Sequence, residues 1–175
     1  MTAADLPLAV VHLPIVKNLD WPDEAATVRF ASALAAQAEL GQAYIELAGE
    51  LGAGKTTLVR HLLRALGVTG RIKSPTYAVV ECYELPTLNV WHFDFYRFSD
   101  PREWIDAGFR DIFASPGLKL AEWPDNAAGC VPQADLRLQL NVADDASRQV
   151  TLTAYTAVGA ALLAGATTPK GQAEP

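Results

Sequence analysis

Apolar and polar positions change period along the chain, and these changes mark the elements of an α/β fold. The run from Ala43 to Ala48 is short and almost entirely apolar, as in a buried strand. A glycine-rich stretch follows, and then residues 57–66 carry apolar side chains at helical spacing until Gly67. The pattern therefore predicts a strand, a glycine-rich loop and a helix in direct succession.

The rest of the chain adds helices and strands on both sides of this unit. A helix is predicted from Trp21 to Leu40, with acidic residues in its first turn and apolar residues on one face. Residues 77–84 and 88–94 are β-rich and joined by a short turn, which predicts an antiparallel hairpin. The later pattern predicts helices from Asp100 to about Phe109 and from Asp111 to Ala114, a strand from Gly117 to Trp123, a strand pair over residues 135–142 and 149–156, and a short helix from Ala157 to Ala166.

Length and composition favour a single domain. Half of the 175 residues are apolar, and a chain of this size buries about 70% of its unfolded surface. No internal repeat and no long Pro, Gly or Ser-rich linker divides it. We therefore predict one α/β domain over residues 1–166, with a central mixed sheet flanked by helices and a disordered tail over residues 167–175.

Charge and cysteine content limit the binding partners and the cellular compartment expected for this chain. The formal net charge of −6 argues against unaided binding to nucleic acid, because that affinity comes mostly from lysine and arginine releasing counterions. Cys82 and Cys130 form neither a disulfide framework nor a C-x-x-C motif. The N-terminus has no secretory pattern, and the apolar stretch 157–166 is half of what spans a bilayer. These features predict a cytoplasmic protein without a membrane partner.

The stretch from Gly49 to Thr56 fits the phosphate-binding pattern G-x-x-x-x-G-K-S/T. Its glycines let backbone N–H groups turn toward an anion, and the following helix offers its positive N-terminal end. Lys55 is placed to reach the outer phosphates, and the Thr56 hydroxyl is placed to ligate Mg²⁺. The sequence thus predicts a nucleoside triphosphate site in an α/β domain of the P-loop NTPase type, the alternative being a glycine-rich turn that binds nothing.

Two acids follow apolar strands and are candidate partners of the loop. Asp94 ends the run 88–93 and Glu122 ends the run 118–121. Open α/β sheets bind ligands at the carboxyl ends of their strands, so the pair can hold a metal or a water. Strand alternation puts His92 and Tyr96 on the face of Asp94. Each acid by itself could simply cap a loop, and Trp123 packs either on the nucleotide or a partner, or in the core.

The segment Ser74-Pro75-Thr76-Tyr77 lies between the loop helix and the next strand. Nucleotide switches often place a hydroxyl here that senses the outer phosphate or its metal, although a plain turn is the simpler interpretation. The three histidines of the chain show no metal-ligand spacing.

Five segments occur in a characteristic order and spacing. They are Gly-Glu-Leu-Gly-Ala-Gly-Lys-Thr-Thr from Gly49, Lys-Ser-Pro-Thr-Tyr from Lys73, His-Phe-Asp-Phe-Tyr-Arg from His92, Asp-Pro-Arg-Glu-Trp from Asp100 and Glu-Trp-Pro from Glu122. Together they resemble the TsaE family, small bacterial ATPases of the N6-threonylcarbamoyladenosine tRNA modification pathway. The resemblance covers residues 20–160.

The resemblance implies roles for individual residues. It gives catalytic roles to Lys55, which grips the phosphates, to Asp94, which supports the metal or the attacking water, and to Glu122. Thr56 and Glu122 hold Mg²⁺ in this assignment, and residues 23–27 lie near the base. It also implies nucleotide contacts from Glu50, Gly52, Ala53, Gly54, Lys55, Thr56, Thr57 and Thr76.

The resemblance further implies an ATP-binding and ATP-hydrolysing component of the tRNA modification machinery, with Mg²⁺ as cofactor. Its partners would be proteins of the TsaD and TsaB types, and it would reach tRNA through their complex. We expect slow turnover by the chain alone. The alternative is a small P-loop kinase acting on a small acceptor. A GTP-binding switch is disfavoured because N-K-x-D and a suitably placed D-x-x-G are absent from the sequence.

Overall fold

The structure is a computed structural model and describes residues 13–168. Its strands are β1 (Ile15–Trp21), β2 (Tyr44–Ala48), β3 (Val80–Glu84), β4 (Asn89–Asp94), β5 (Leu118–Glu122), β6 (Leu136–Val142) and β7 (Arg148–Ala154). Its α-helices are α1 (Glu24–Ala35), α2 (Lys55–Ala65), α3 (Pro101–Asp106), α4 (Phe109–Ala114) and α5 (Ala157–Thr167).

All seven strands form one mixed sheet in the order β1-β7-β6-β2-β5-β4-β3. The central strands β6, β2, β5 and β4 run parallel. Strand β3 pairs antiparallel with β4, β7 pairs antiparallel with β6, and β1 pairs antiparallel with β7. In this register Leu47 and Asp94 both lie opposite Glu122. The carboxyl ends of β2, β4 and β5 therefore meet at one edge, and the predicted mixed sheet is confirmed.

The two faces of the sheet bury different side chains. One face packs aliphatic residues against α1, α2 and α5, with Leu34, Leu58 and Leu162 among those that are almost completely buried. The other face carries an aromatic cluster with Phe93 and Phe95 from the sheet side and residues of α3 and α4. Each fully buried side chain of this kind contributes about 1.5–3 kcal/mol of hydrophobic free energy. The segment between β4 and β5 thus covers the aromatic face of the sheet.

Strand β1 was not predicted from the sequence. It pairs antiparallel with β7 at the edge of the sheet, and only its last residue, Trp21, is buried. Ile15 and Val16, adjacent in the strand, are 52% and 58% exposed. An edge strand that is exposed on both faces shows no alternation of apolar and polar residues, so periodicity could not reveal it.

The predicted helix from Trp21 to Leu40 is too long at both ends. Helix α1 begins after Asp23, whose carboxylate accepts a hydrogen bond from the Ala26 N–H at 2.9 Å. It ends at Ala35, and Gln37 takes an extended conformation that breaks the helix. A 3-10 turn over Ala38–Gln42 then buries Leu40 in the core. Burial of this leucine overrides the helical propensity of the segment.

The predicted strand over residues 77–84 begins only at Val80. Residues 76–79 form a turn in which Val79 has a left-handed φ of 66° and donates its N–H to the Pro75 carbonyl. Tyr77 is 85% exposed at the tip of this turn. The turn brings residues 74–76 toward β4, which sequence periodicity could not indicate.

Both predicted helices between β4 and β5 are present, but the boundary between them lies earlier than predicted. Helix α3 ends at Asp106, and Gly108, with φ 70°, precedes α4. The helix predicted over residues 157–166 is present and extends to Thr167. The rest of the predicted tail, residues 169–175, lies outside the described residues. Within the described part of the chain, no helix is long and apolar enough to cross a membrane.

Candidate nucleotide-binding site

The glycine-rich loop lies between β2 and α2 and is shaped by backbone conformations that favour glycine. Gly54 has φ 106° and forms the cap of α2. Gly49 has φ 143°, and a Cβ at this position would lie 2.3 Å from the Leu140 carbonyl oxygen. A larger residue would therefore push the loop away from β6. The loop leads into the first turn of α2, whose N–H groups lack intrahelical acceptors.

The loop opens into a cavity of about 430 Å³ at the carboxyl ends of β4 and β5, a volume typical of ligand sites. We call it the first cavity. It brings together residues from five separate segments: Leu51, Gly52, Gly54, Lys55, Thr56, Thr57, Ser74, Thr76, Asp94, Tyr96, Glu122, Trp123 and Arg148. Most of the predicted site residues are in this set. Glu50 is an exception, since its exposed side chain lines no part of the cavity.

Lys55 is the cation in the floor of the first cavity and is only 4% exposed. Its ammonium donates to the carbonyls of Gly49 at 2.7 Å and Glu50 at 2.9 Å. Burial lowers the pKa of Lys55, while the nearby carboxylates of Glu122 and Asp94 act in the opposite direction. The loop carbonyls hold the ammonium where the pattern places the phosphates.

Glu122 and Thr56 form the oxygen-rich wall of the first cavity. The Thr56 hydroxyl lies 2.8 Å from Glu122 Oε2 and 3.0 Å from Oε1. A hydroxyl beside a buried carboxylate is a donor set that suits Mg²⁺. Among residues 13–168, no group of three or more His, Cys, Asp or Glu side chains is arranged to hold a metal. Mg²⁺ sites in proteins typically use one or two carboxylates together with substrate phosphates and water.

Asp94 lies beside Glu122 in the sheet register and is 4% exposed. Its Oδ1 accepts the Tyr96 N–H at 2.9 Å. Its Oδ2 accepts the Thr76 hydroxyl at 3.1 Å and also the Ser74 hydroxyl. The turn that sequence analysis singled out for its hydroxyls is therefore in direct contact with the second acid of the site.

Trp123 forms part of the cavity wall and also packs, half-buried, against the aromatic cluster. Its ring centre lies 4.0 Å from the Lys55 ammonium and 5.0 Å from the ring centre of Tyr96. Its backbone is left-handed with φ 56°, which is uncommon for a residue other than glycine. Such outliers are found where surrounding structure holds them, often at functional sites.

The turn after Trp123 is anchored to the centre of the sheet by Arg137. Its guanidinium donates to Asp125 at 2.7 Å and to Glu46 at 3.0 Å. The hydrogen bond to Asp125 is the main cause that raises the pKa of Arg137 above its ordinary value. This link between β6, β2 and the turn restrains the backbone that carries Glu122 and Trp123.

A second cavity of about 200 Å³ adjoins the first on the other side of the loop. Gly54, Thr57 and Arg148 line both cavities. The remaining walls of the second cavity come from the end of β1, from α1 and its N-terminus, from the glycine-rich loop and from the β6–β7 pair: Trp21, Asp23, Glu24, Thr27, Ala53, Leu140 and Ala146. The predicted base region, residues 23–27, thus lies next to the phosphate loop.

Arg148 is a site residue that sequence analysis missed. Its Nε donates to the Ala53 carbonyl at 2.8 Å, and its guanidinium also contacts the Ala146 carbonyl. The residue follows a polar turn far from any motif and reaches the loop because β7 pairs with β6. No signal in the sequence marks it, since only the strand order brings it to the cleft.

Comparisons with known proteins agree with this geometry. The family model described as Threonylcarbamoyl adenosine biosynthesis protein TsaE matches residues 21–150. A Haemophilus influenzae protein named tRNA threonylcarbamoyladenosine biosynthesis protein TsaE is 43% identical over 115 residues, covering 66% of this chain and 72% of the relative. A Bacillus subtilis protein of the same name is 35% identical over 143 residues, covering 79% of this chain and 87% of the relative.

A solved structure shares the fold. The crystal structure of YdiB from Bacillus subtilis is similar with a TM-score of 0.73 at 26% identity, covering 89% of this chain and 97% of that chain. The similarity includes nearly the whole of the neighbour, so the predicted α/β fold of the P-loop NTPase type is confirmed.

Proposed function

Since this chain belongs to the TsaE family, we propose that it binds and hydrolyses ATP in the first cavity to support tRNA threonylcarbamoyladenosine biosynthesis. Its relatives carry this pathway in their names. The observation that carries the ATPase proposal is the convergence of Lys55, Thr56, Asp94 and Glu122 in one cavity at the ends of parallel strands. Such an edge is where open α/β sheets bind ligands.

The orientation of the nucleotide in this proposal follows from the residues that line each cavity. Lys55 and Thr56 line the first cavity alone, so the outer phosphates lie there. The α-phosphate lies near Gly54 and Thr57, which border both cavities. The nucleoside then lies in the second cavity beside the N-terminus of α1. Arg148 stands between the two parts and contributes positive charge to the inner phosphates.

The residues of the first cavity divide the chemical work. When bound beside Thr56 and Glu122, Mg²⁺ neutralises negative charge that develops on the phosphates. Lys55 binds the outer phosphates, and its burial strengthens that interaction. Asp94 lies next to Glu122, from where its carboxylate accepts a hydrogen bond from the attacking water. Its contacts with Ser74 and Thr76 couple this role to the turn over residues 74–79.

Partner proteins are expected to raise turnover. Within residues 13–168, Arg148 is the one arginine that lines the first cavity, and its guanidinium is engaged with the Ala53 and Ala146 carbonyls. Phosphoryl transfer commonly needs a mobile positive group near the outer phosphate. Proteins of the TsaD and TsaB types are the proposed suppliers of such a group or of the required ordering. An acidic chain reaches tRNA through that complex.

A kinase function receives less support from the structure. Acceptor kinases close a lid over the phosphates. Here α3 and α4, which connect β4 to β5, bury Trp104 and Phe109 in the aromatic cluster on one face of the sheet, so they do not serve as such a lid.

A cytoplasmic setting suits the free thiols of Cys82 and Cys130.

Steady-state ATP hydrolysis tests the proposal in four mixtures: the chain alone, with TsaD and TsaB type proteins, with tRNA, and with all components. We expect slow turnover alone, at least a tenfold rise with the proteins, and no rise with tRNA by itself. The Lys55→Ala variant in each mixture corrects for contaminating ATPases. Full activity in isolation, or stimulation by tRNA without a protein partner, would contradict the proposal. Phosphorylation of an added small acceptor would instead support the kinase.

A further inference from the structure

His92 is the most deeply buried polar residue next to the site, with no exposed surface. Its Nε2 lies 2.8 Å from Glu122 Oε1, whereas its Nδ1 is buried and has no hydrogen-bond partner within residues 13–168. If the ring carries its proton on Nε2, the carboxylate receives a donor and Nδ1 stays a bare acceptor. The other tautomer would leave a buried N–H unpaired and set a lone pair against the carboxylate. The contacts therefore favour the Nε2–H form.

The sheet register explains how His92 reaches this position. His92 and Asp94 are two residues apart in β4 and lie on the same face, and Asp94 is opposite Glu122 in β5. His92 lines neither cavity, so it approaches the Glu122 carboxylate from inside the protein. Thr56 approaches the same carboxylate from the cleft side. The carboxylate is held between these two donors.

The hydrogen bonds from Thr56 and His92 to Glu122 differ in whether they compete with bound Mg²⁺. The Thr56 hydroxyl is itself a proposed ligand of Mg²⁺, so its contact with Glu122 competes with the metal. The His92 contact comes from the opposite side and does not compete. Among the residues that the structure describes, His92 is then the remaining side-chain donor to Glu122.

We propose that His92 is a positioning residue, which orients the Glu122 carboxylate toward Mg²⁺ through the Nε2–H hydrogen bond. This inference rests on the proposed Mg²⁺-dependent nucleotide binding and assigns to a buried histidine a role in metal affinity. Outer partners that orient metal ligands typically change metal affinity 10- to 100-fold when they are removed. Loss of His92 should therefore weaken Mg²⁺ binding without removing the nucleotide site.

Two substitutions separate the hydrogen bond from the shape of the ring. His92→Gln places an amide N–H near the position of Nε2 and keeps a donor to Glu122. His92→Leu fills a similar volume without a donor. ADP affinity is measured by titration at increasing Mg²⁺ concentration and also without Mg²⁺, so that no hydrolysis is needed for the readout.

We expect His92→Leu to raise the Mg²⁺ concentration for half-maximal effect about 10- to 100-fold. His92→Gln should stay within about threefold of the wild type, and ADP affinity without Mg²⁺ should be unchanged in both. The control is His61→Leu, which removes a histidine–glutamate contact of 2.7 Å with Glu24 at the surface and should leave the Mg²⁺ requirement unaltered. Equal behaviour of the leucine and glutamine variants, or a normal Mg²⁺ requirement in His92→Leu, would overturn the proposal.

A spectroscopic measurement on the wild-type chain covers the case in which His92→Leu does not fold. Long-range ¹H–¹⁵N correlations of the imidazole, assigned with His92→Gln, report the tautomer. We expect a protonated Nε2, a bare Nδ1 and a shifted Nε2 resonance in Glu122→Ala. An Nδ1–H tautomer, or no response to Glu122→Ala, would overturn the role of His92. Absence of any Mg²⁺ effect on ADP binding by the wild type would instead overturn the proposed function.

Discussion

The first and second cavities differ in how their charged groups are held. In the first cavity Lys55, Asp94 and Glu122 are each at most 4% exposed and are bonded to defined partners. In the second cavity the carboxylates of Asp23 and Glu24 are exposed to solvent. Charges in a buried setting interact strongly, whereas those at the surface are screened by water and salt.

This difference predicts a gradient of mutational effects along the cleft. Removing a buried charge leaves its former partners unpaired in a poorly solvated setting, which is costly. Removing an exposed charge allows water to replace it at little cost. Substitutions in the first cavity should therefore change affinity or rate by at least tenfold, and those at the edge of the second cavity by much less.

Lys55→Ala should have the largest effect of the substitutions considered. Loss of the buried ammonium removes a charge-assisted contact with the outer phosphates, and we expect ATP affinity to fall about a hundredfold, about 2.7 kcal/mol. Fluorescent-nucleotide titration measures the change, with circular dichroism to verify folding.

The matched control is another buried lysine. Lys119 donates to the Ser115 carbonyl, and it lies three residues before Glu122, away from both cavities. Lys119→Met should retain nucleotide affinity even if it alters stability. A folded Lys55→Ala variant with unchanged ATP affinity would reject the site.

Glu122→Ala and Asp94→Ala should separate binding from chemistry. Both acids act on the metal or the water in the proposed function, so each variant should lose at least tenfold in hydrolysis, about 1.4 kcal/mol in the barrier. ADP binding should remain substantial because Lys55 and the loop are intact. A phosphate-release assay beside an ADP titration measures both quantities. Wild-type turnover in both variants would show that these carboxylates only cap the strand ends.

Arg148 lies between the two cavities, and the Arg148→Ala variant should have an intermediate effect on nucleotide affinity. The variant loses one positive charge near the inner phosphates and leaves the Ala53 carbonyl without its 2.8 Å donor. We expect ATP affinity to fall about fivefold, about 1 kcal/mol. Arg148→Lys should recover part of the loss, because an ammonium restores charge but cannot contact both carbonyls as a guanidinium does. Arg110→Ala on α4 is an exposed control, and equal affinity in all these variants would exclude Arg148 from the site.

Most residues of the first cavity were also ones that the sequence could predict. The phosphate loop, α2 and the two strand-end acids were predicted because each is encoded in a contiguous stretch with a physical signature. The hydroxyls of Ser74 and Thr76 were singled out by position, and the structure places both on Asp94. The roles of these residues remain predictions, whereas the fold and the family are confirmed.

The features that were missed depend on strand order. Arg148 reaches the loop because β7 pairs with β6 beside β2, and His92 reaches Glu122 because β4 and β5 are parallel neighbours. Local periodicity contains no information about which strands are adjacent. Strand β1 was missed because its exposed edge position leaves no apolar alternation. Arg148 and β1 thus belong to the antiparallel edge, whereas the His92 contact lies between parallel strands, and pairing between distant segments is common to all three.

Asp23 provides the smallest expected effect and tests the exposed end of the cleft. Its carboxylate caps α1 through the Ala26 N–H and borders the second cavity. Asp23→Asn keeps a capping oxygen while removing the charge, so stability should change by only a few tenths of a kcal/mol. ADP affinity should rise by less than about threefold, under about 0.7 kcal/mol, because a screened repulsion of the phosphates is removed. Asp23→Ala should cost about 1 kcal/mol of stability through loss of the cap, with a similarly small change in affinity. Thermal unfolding and ADP titration at two salt concentrations measure both effects. A tenfold change in affinity that persists at high salt would mean that the second cavity holds its charges as tightly as the first.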